Sequence, residues 1–267
     1  MKNSTPHGDA RKKICTLKQT ISFLLLHVLA TVPVLAESKV LLEEDFESYT
    51  LSGDIVTSGG WSSQPVTDAG CLPPYLRDDA TKYIKLSFKP TTQTDRNGMI
   101  FRSFVETSNS EVNLSFCTLH TEGERMQSAG LFDANRRQGY VVCWTAGPAP
   151  TKGTLFVWKY LAPEPITWGE MSRITQLLSK RDPAADGMAE ELARTSKLSH
   201  DSQSPPLASF RFIINQRTGE FSLYQDDECV LSGADNKPIQ ALSQVVLQGS
   251  SGLFDEIKVE ADSLQPK

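Results

Sequence analysis

The chain has 267 residues and a formal net charge of −5. Its acidic balance, with no cluster of Lys and Arg after residue 36, argues against a nucleic-acid partner or an anionic membrane surface. The 231 residues that follow residue 36 fit one large β domain, because sandwich folds routinely reach that length.

The first 36 residues have the pattern of an export signal. Basic residues Arg11, Lys12 and Lys13 precede an apolar stretch over 21–35, and small residues favour cleavage after Ala36. About 15 apolar residues are short for a membrane span, which needs ~20. The alternative is an uncleaved N-terminal anchor, because the basic region is long for a signal. Cleavage predicts a secreted, periplasmic or cell-surface protein without a membrane contact.

Cleavage also changes the charge and the cysteine inventory. The signal contains five basic residues and one acidic residue, so the mature chain has a formal charge of about −9. Its four cysteines allow three disulfide pairings in an oxidising compartment. Pairing of Cys117 with Cys143 is the favoured interpretation, since both fall in candidate neighbouring strands. Free buried thiols are the alternative. The other two cysteines are Cys71 and Cys229.

Short strands separated by turn residues dominate the first half of the mature chain. An opening strand is predicted over 41–49, and residues 51–74 have the Gly, Ser, Pro and Thr content of a surface loop. Strands at this spacing indicate a sandwich or barrel rather than βαβ units. The further strands predicted in this half are 82–89, 98–105, 111–119, 127–132, 139–145 and 154–161.

Residues 168–206 break the strand pattern and predict a partly helical insertion. Thr167 and Glu170 have the spacing of a capping box, and apolar residues then recur at helical spacing. Asp182 followed by proline predicts a second helix that ends near residue 198. The alternative is a disordered loop with nascent helix.

The strand pattern returns after the insertion. Apolar residues at 210, 212 and 214 alternate with polar ones, and Asp226-Asp227-Glu228 marks a turn. The strands predicted in this half are 208–215, 220–225, 229–231, 243–248 and 252–260.

The two ends of this strand series resemble the first and last strands of concanavalin-A-like lectin/glucanase (laminin-G-like) jelly rolls. The segments are LLEEDFESY (41–49) and GLFDEIKVE (252–260), and the hairpin over 209–232 is similar to that family as well, except for Glu228 at a turn glycine. The resemblance, to an exported bacterial member, implies an all-β fold. That fold is a two-sheet antiparallel jelly-roll sandwich over residues 37–267, with the insertion carried on it.

The same resemblance implies a structural Ca²⁺ where the first and last strands pair. The matching positions are Asp45, Glu47 and Asp255. Ca²⁺ takes six to eight oxygen ligands, which carboxylates and carbonyls supply. The alternative is that these carboxylates occupy outward positions of edge strands, where charge discourages aggregation.

No recognisable catalytic motif accompanies the resemblance, so an enzyme is not the leading interpretation. Laminarinase-type enzymes of this fold carry Glu-x-Asp-x-x-Glu on one strand, and this sequence has no such motif. His120 and His200, the two histidines of the mature chain, lie beside no nucleophile elbow. A polysaccharide hydrolase or lyase with acids in loops remains the alternative. Its candidate acids are Asp78, Asp79, Asp226 and Asp227.

Aromatic residues on two predicted strands are the candidate ligand-binding residues. Tyr140 and Trp144 share one face of their strand, as do Trp158 and Tyr160 on the next. An aromatic platform with polar groups is typical of sugar sites, although large aromatics at alternate strand positions, Trp158 in particular, more often face the core between sheets. The sequence therefore predicts an exported, non-catalytic lectin-like module that binds a glycan or another surface polymer. A structural cell-surface interaction domain is a further alternative.

Overall fold

The computed structural model describes residues 38–46, 48, 59–64, 97–119, 125–146, 154–195, 207–250 and 253–264. The described residues belong to one compact unit, Ser38–Lys267. The described residues do not include the predicted export signal, the strand predicted over 82–89, Cys71, His120 or His200. No helix in the described part of the chain is both long enough and apolar enough to span a membrane.

The described elements are thirteen strands, one α-helix and one short 3₁₀ turn. The strands are β1 (Ser38–Glu44), β2 (Ser62–Gln64), β3 (Asn97–Thr107), β4 (Ser110–Leu119), β5 (Arg125–Phe132), β6 (Gln138–Ala146), β7 (Thr154–Leu161), β8 (Ala189–Thr195), β9 (Leu207–Asn215), β10 (Glu220–Gln225), β11 (Glu228–Ala234), β12 (Leu242–Ser250) and β13 (Leu253–Ser263). Helix α1 (Trp168–Ser179) and the 3₁₀ turn (Pro183–Ala185) lie between β7 and β8.

The strands form two antiparallel sheets. The six-stranded sheet has the order β1-β13-β4-β9-β10-β11, and the seven-stranded sheet has the order β2-β3-β12-β5-β6-β7-β8. The first and last strands pair, with Ser38 opposite Asp262 and Glu44 opposite Ile257. This confirms the predicted all-β sandwich and the predicted closure of the fold by its two end strands.

Alternating side chains from both sheets fill the space between them. Trp144 on β6 stacks on Phe116 and Phe210 of the opposite sheet, with ring centroids 5.6 Å and 5.3 Å away. Phe254 meets the Trp144 ring edge-on at 5.9 Å. Aromatic pairs at these separations add to the stability that burial of their area provides. The period-2 pattern of the sequence therefore gives the core its composition.

The acidic run of the opening strand has a structural role at one corner of the sandwich. Glu44 is buried, and its carboxylate accepts hydrogen bonds from Arg102 Nη1 at 2.5 Å and from Trp61 Nε1 at 3.3 Å. The Trp61 ring stacks on Phe46 with centroids 5.8 Å apart. The stretch predicted as loop over 51–74 thus contains the short strand β2, anchored beside a buried tryptophan.

The prediction of a second helix after Asp182 is wrong. Asp182 caps the backbone N–H of Ala184 as predicted, but only the 3₁₀ turn follows. Gly187 then takes a φ of +82°, which a continuing helix does not tolerate, and the chain enters β8. Strand β8 pairs with β7, where it satisfies backbone groups that would otherwise form an open sheet edge.

The favoured disulfide between Cys117 and Cys143 is also wrong, because Cys117, Cys143 and Cys229 are free thiols. Phe116 and Val142, their neighbours, point into the core between the sheets. The Cys117 and Cys143 thiols therefore lie on the outer faces of opposite sheets. Stacked sheets are about 10 Å apart, so a disulfide cannot join these positions.

Candidate ligand-binding face beneath helix α1

Three aromatic side chains form a row on the outer side of β7. Phe156, Trp158 and Tyr160 point away from the core between the sheets, whereas Leu155 and Val157 point into it. The alternation follows from the two-residue period of the strand. We call Phe156, Trp158 and Tyr160 the aromatic shelf.

Helix α1 covers the aromatic shelf. Met171, Ile174 and Leu178 recur on one side of the helix and belong to the same buried cluster as the shelf. All three shelf residues have 0% of their surface exposed. The predicted helix is confirmed, including its capping box between Thr167 and Glu170. The outer face of the sheet is therefore a filled interface and not an open groove.

A row of polar side chains lies beside the shelf on the same outer face. Gln248 of β12 is opposite Ser128 of β5, Ser128 is opposite Cys143 of β6, and Cys143 is opposite Phe156. We call Gln248, Ser128 and Cys143 the polar row. Thr175 of helix α1 lies above it, since its hydroxyl and that of Ser128 both act on the Cys143 thiol.

Several polar atoms in this interface are buried without a hydrogen-bond partner. They are Gln248 Oε1, Ser128 Oγ, Thr175 Oγ1 and Trp158 Nε1. The Cys143 sulfur is a weak acceptor, so it offers the two hydroxyls beside it only weak hydrogen bonds. Buried polar groups in native proteins are nearly always paired, and each exception calls for a physical reason.

The Cys143 thiol does not have the properties of a nucleophile. Burial raises its pKa to about 12, although the Ser128 and Thr175 hydroxyls act in the opposite direction. The reactive form of cysteine is the thiolate, which is scarce near neutral pH when the pKa is this high. Cys143 therefore contributes to the polar row as a neutral, weakly polar group.

Arg194 of β8 fastens the C-terminal end of helix α1 to the sheet. Its guanidinium donates to the Ser179 carbonyl at 3.3 Å and to the Leu178 carbonyl. It also lies 4.9 Å from the centre of the Phe156 ring and pairs with Glu191. The last turn of α1 contains no basic residue, so Arg194 supplies the charge and the donors that helix C-termini need.

The N-terminal end of α1 is held through its connection to β7. The Tyr160 hydroxyl donates to the Glu164 carbonyl at 3.1 Å, and the Ile166 N–H donates to the Arg136 carbonyl at 2.8 Å. Arg136 in turn lies 3.9 Å from the centre of the Phe101 ring on β3. The segment that leads into α1 is thus tied to the turn between β5 and β6.

An open depression of ≈ 670 Å³ lies at the other end of the helix, between α1, the 3₁₀ turn and β8. Asp182, Asp186 and Glu190 line it together with Arg181, and Leu161 is 40% exposed at its edge. No three His, Cys, Asp or Glu side chains converge within the described residues, so the depression is acidic without forming a metal cluster there.

The structure separates the four predicted ligand-binding residues into two pairs. Tyr140 and Trp144 point into the core between the sheets, where the Tyr140 hydroxyl donates to Asp235 at 2.7 Å. Trp158 and Tyr160 are on the outer face, beneath α1. None of the four reaches solvent in this conformation, because all are at most 2% exposed.

The structure describes two of the three predicted Ca²⁺ ligands. Asp45 is exposed just beyond the end of β1, Asp255 lies on the paired strand β13, and Glu47 is outside the described residues. One Asp255 oxygen already accepts the Glu256 N–H at 2.8 Å. Two carboxylates are fewer than the six to eight oxygens that Ca²⁺ takes. The described residues therefore do not complete such a site by themselves.

Two features of this region are not apparent from sequence reasoning. Lys159 looks like an outward residue of β7, but it points into the sandwich and pairs with Asp235 at 2.7 Å. The polar row arises from three strands that are distant in the chain. The sequence does contain a signal for the inward position of Lys159. It lies between Trp158 and Tyr160 in TLFVWKYL and therefore points to the opposite face from the aromatic shelf.

No family model matches this chain, and no curated protein matches it. Among solved structures, the chain is similar to β-agarase A from Zobellia galactanivorans, with a TM-score of 0.55 and 8% identity over 88% of this chain and 98% of that chain. A β-agarase A structure in complex with oligoagarose gives a TM-score of 0.55 and 7% identity over 87% and 97%. A carbohydrate-binding module (CBM66) from Bacillus subtilis gives 0.42 and 14% over 75% and 95%.

At these sequence identities the similarities show the fold alone, and a TM-score of 0.42 is too low to support any conclusion. The chain therefore folds as a two-sheet antiparallel sandwich that is similar to the fold of β-agarase A.

Proposed function

We propose that the protein is a carbohydrate-binding module without hydrolase activity, and that the aromatic shelf and the polar row form its binding face. The observation that carries this proposal is the adjacency of three aromatic rings to buried polar atoms. Gln248 Oε1 and Trp158 Nε1 have no hydrogen-bond partner, and the Ser128 and Thr175 hydroxyls have only the Cys143 thiol beside them. Sugars present apolar C–H faces and hydroxyl groups together. Aromatic side chains bind the former, and groups such as Ser128 Oγ and Gln248 Oε1 bind the latter.

The fold likeness supports the class of ligand and no finer assignment. The β-agarase A structure that this chain resembles is in complex with oligoagarose, which is a carbohydrate. Function resides in sites and not in folds. The similarity in fold therefore favours a glycan as the ligand without identifying which glycan it is. The chemistry of the shelf and the polar row is what connects this chain to that class.

The absence of carboxylates from the centre of the sheet supports a non-catalytic role. Glycoside hydrolysis uses two carboxyl groups, roughly 5–10 Å apart across the scissile bond. Strands β5, β6, β7 and β12, which carry the shelf and the polar row, contain no Asp or Glu in their sequences. Of the two carboxylates on β8, Glu191 is paired with Arg194 and Glu190 lines the open depression beyond the helix.

The proposal includes export by the N-terminal signal, which would place the binding face where surface polymers occur. Mature protein recovered from outside the cytoplasm should begin at residue 37, and N-terminal sequencing or intact mass would establish this. A mature chain that retains residues 1–36 would instead support the anchored alternative.

The binding test uses two tryptophans that differ in location but match in chemistry. Trp158 Nε1 and Trp144 Nε1 are both buried without a partner, yet only Trp158 belongs to the shelf. Glycan-array screening of the purified protein, followed by titration calorimetry, should identify a ligand. Trp158→Phe should then weaken binding by about tenfold, the loss of one good hydrogen bond. Trp144→Phe should leave the affinity unchanged.

Three results would contradict the proposal. A folded protein that binds no glycan in either assay would remove its main claim. Equal loss of affinity in Trp158→Phe and Trp144→Phe would move binding away from the shelf. Release of reducing sugar ends from the bound glycan would show that the protein is an enzyme, and the non-catalytic half of the proposal would fail.

A further inference from the structure

We infer that helix α1 is a displaceable lid, fastened by Arg194, and that it closes a site for an uncharged saccharide on the aromatic shelf and the polar row. The inference deepens the proposed function and rests on it. It concerns both how the ligand reaches this face and what charge the ligand has.

The closed interface leaves polar groups poorly satisfied on both of its sides. Ser128 and Gln248 belong to the sheet, whereas Thr175 belongs to the helix. When α1 lifts, water or ligand hydroxyls can pair with all of these atoms, which offsets part of the apolar surface that opening exposes.

Helix α1 is fastened to the sheet at its C-terminal end. Met171, Ile174 and Leu178 are its fully or nearly buried apolar contacts, and Arg194 holds its last carbonyls from the neighbouring strand. The guanidinium that caps the helix therefore belongs to the scaffold and not to the moving part. Loss of this one side chain would free the C-terminal end of α1 without changing the helix or the shelf.

The segment that follows the helix has an irregular backbone. Arg181 has a φ of +56° and Gly187 has a φ of +82°, so two left-handed residues lie between α1 and β8. Between them, only the three residues of the 3₁₀ turn have regular structure. Segments of this kind can absorb changes in backbone angles when an attached element moves. The segment Arg181–Gly187 is therefore where we expect backbone angles to change when the C-terminal end of α1 lifts.

The charges of the residues around the site indicate the charge of the ligand. The aromatic shelf and the polar row contain no ionised group at neutral pH, because Cys143 keeps its proton when buried. Arg194, beside Phe156, is occupied by Glu191 and by the helix carbonyls, and Arg136 lies over Phe101 and donates to Gln244. An anionic sugar would lose its hydration on this face without gaining a partner. The site therefore favours neutral saccharides over sulfated or uronic ones.

A reversible covalent lock tests the lid directly. The hydroxyl of Thr175 lies beside the Cys143 sulfur, so a Thr175→Cys variant places two thiols together across the interface. Diamide would oxidise the pair to a disulfide, taking up the two protons and two electrons, and dithiothreitol would reverse the step. Intact mass after alkylation reports whether the bond forms. Binding of neutral and sulfated oligosaccharides of the same backbone is then measured in both states.

The oxidised variant should bind the neutral oligosaccharide at least tenfold more weakly than the reduced variant. Thr175→Ser, treated in the same way, should show no difference between the two conditions. Equal binding by the locked and reduced forms would overturn the lid. Preference for the sulfated oligosaccharide would overturn the assignment of an uncharged ligand.

Hydrogen exchange tests the lid independently of any ligand and of whether the disulfide forms. Amides of α1 should exchange faster than those of β6 in the wild-type protein, through local opening. Arg194→Gln should raise the exchange of α1 by at least threefold and leave β6 unchanged. Exchange of α1 only at the rate of global unfolding would overturn the lid. If α1 opens but no form binds any glycan, the proposed function fails and the lid stands.

Discussion

The Nζ atom of Lys159 lies 2.7 Å from Oδ2 of Asp235, and both side chains are at most 3% exposed. The same carboxylate accepts the Tyr140 hydroxyl at 2.7 Å and the backbone N–H of Lys237 at 2.9 Å. Lys159 and Tyr140 belong to the seven-stranded sheet, whereas Asp235 directly follows β11 of the other sheet. This buried network therefore ties the two sheets together at one end of the sandwich.

Removal of either charge should destabilise the protein strongly, because the remaining charge stays buried without its partner. Asp235→Asn and Lys159→Met should each lower the free energy of unfolding by ~3–5 kcal/mol. In urea titrations the double variant should lose less than the sum of the two single losses. Lys258→Met breaks a partly exposed pair with Glu260 and should leave the midpoint almost unchanged. Additive losses would show that the two buried charges act independently.

The same network predicts how stability depends on pH. Burial alone would raise the pKa of Asp235, but hydrogen bonds from Lys159, the Lys237 N–H and Tyr140 outweigh it and lower that pKa overall. A lowered carboxyl pKa contributes stability above the unfolded value, about 3.9, and that stability is lost as pH falls through the folded value. Unfolding free energy should therefore fall below about pH 4. Asp235→Asn should flatten this part of the profile.

A comparison of two glycines separates backbone strain from close approach. Gly219 and Gly187 have φ of +76° and +82°, but a Cβ at Gly219 would overlap the Asp235 carbonyl, whereas one at Gly187 would meet nothing within 4 Å. Gly187→Ala should cost ~1–2 kcal/mol, the strain of the left-handed conformation. Gly219→Ala should cost about 3 kcal/mol or more, since overpacking adds to it. Thermal unfolding of both variants checks this order, and equal losses would contradict the overlap.

The cysteines should differ sharply in reactivity. Burial raises the pKa of Cys117 to about 12, with the Glu256 carboxylate acting in the same direction, and burial raises the pKa of Cys143 to about 12. Cys229 is exposed. At pH 8 iodoacetamide should label Cys229 within minutes and the two buried thiols much more slowly, with Cys143 reacting through opening of α1. Peptide mass mapping measures this, with Cys229→Ser as control. Rapid labelling of Cys143 in native protein would contradict a closed α1 interface.

The Ca²⁺ site remains a proposal that a melting experiment can decide. Bound Ca²⁺ should raise the unfolding free energy by ~2.7 kcal/mol at one hundred times its dissociation constant, and a chelator should remove this gain. Asp255→Asn should abolish the response, while Glu260→Gln on the same strand should retain it. An unchanged midpoint on adding chelator to the wild-type protein would rule out a structural ion.

The fold could be predicted from the sequence because its signals are local and repeated. Alternation along ASFRFIIN predicts the inward set Phe210, Phe212 and Ile214, and all three are buried. The capping box at Thr167 likewise predicts the start of α1 to the residue. β8 escaped prediction because its burial follows from pairing with the edge of β7, which no local pattern reveals.

The candidate site could be predicted only in part, for a related reason. Alternation places Trp158 and Tyr160 on one face of β7, but it does not say whether another element covers that face. Tyr140 is in the core because its register sets it opposite the other sheet, near Asp235, 95 residues away in the chain. Contacts between distant segments decide both outcomes, and the spacing of residues along one strand contains neither.

The pairing of β1 with β13 has a consequence for engineering. Ser38 and Asp262 are opposite each other, and paired residues in an antiparallel ladder are about 5 Å apart. A few Gly and Ser residues could therefore join the two ends. New termini could then be opened in the turn between β5 and β6, where Asp133 and Arg137 are exposed or nearly so. Such a circular permutant would keep every strand pair of the described residues and move any tag or fused domain away from the paired ends of β1 and β13.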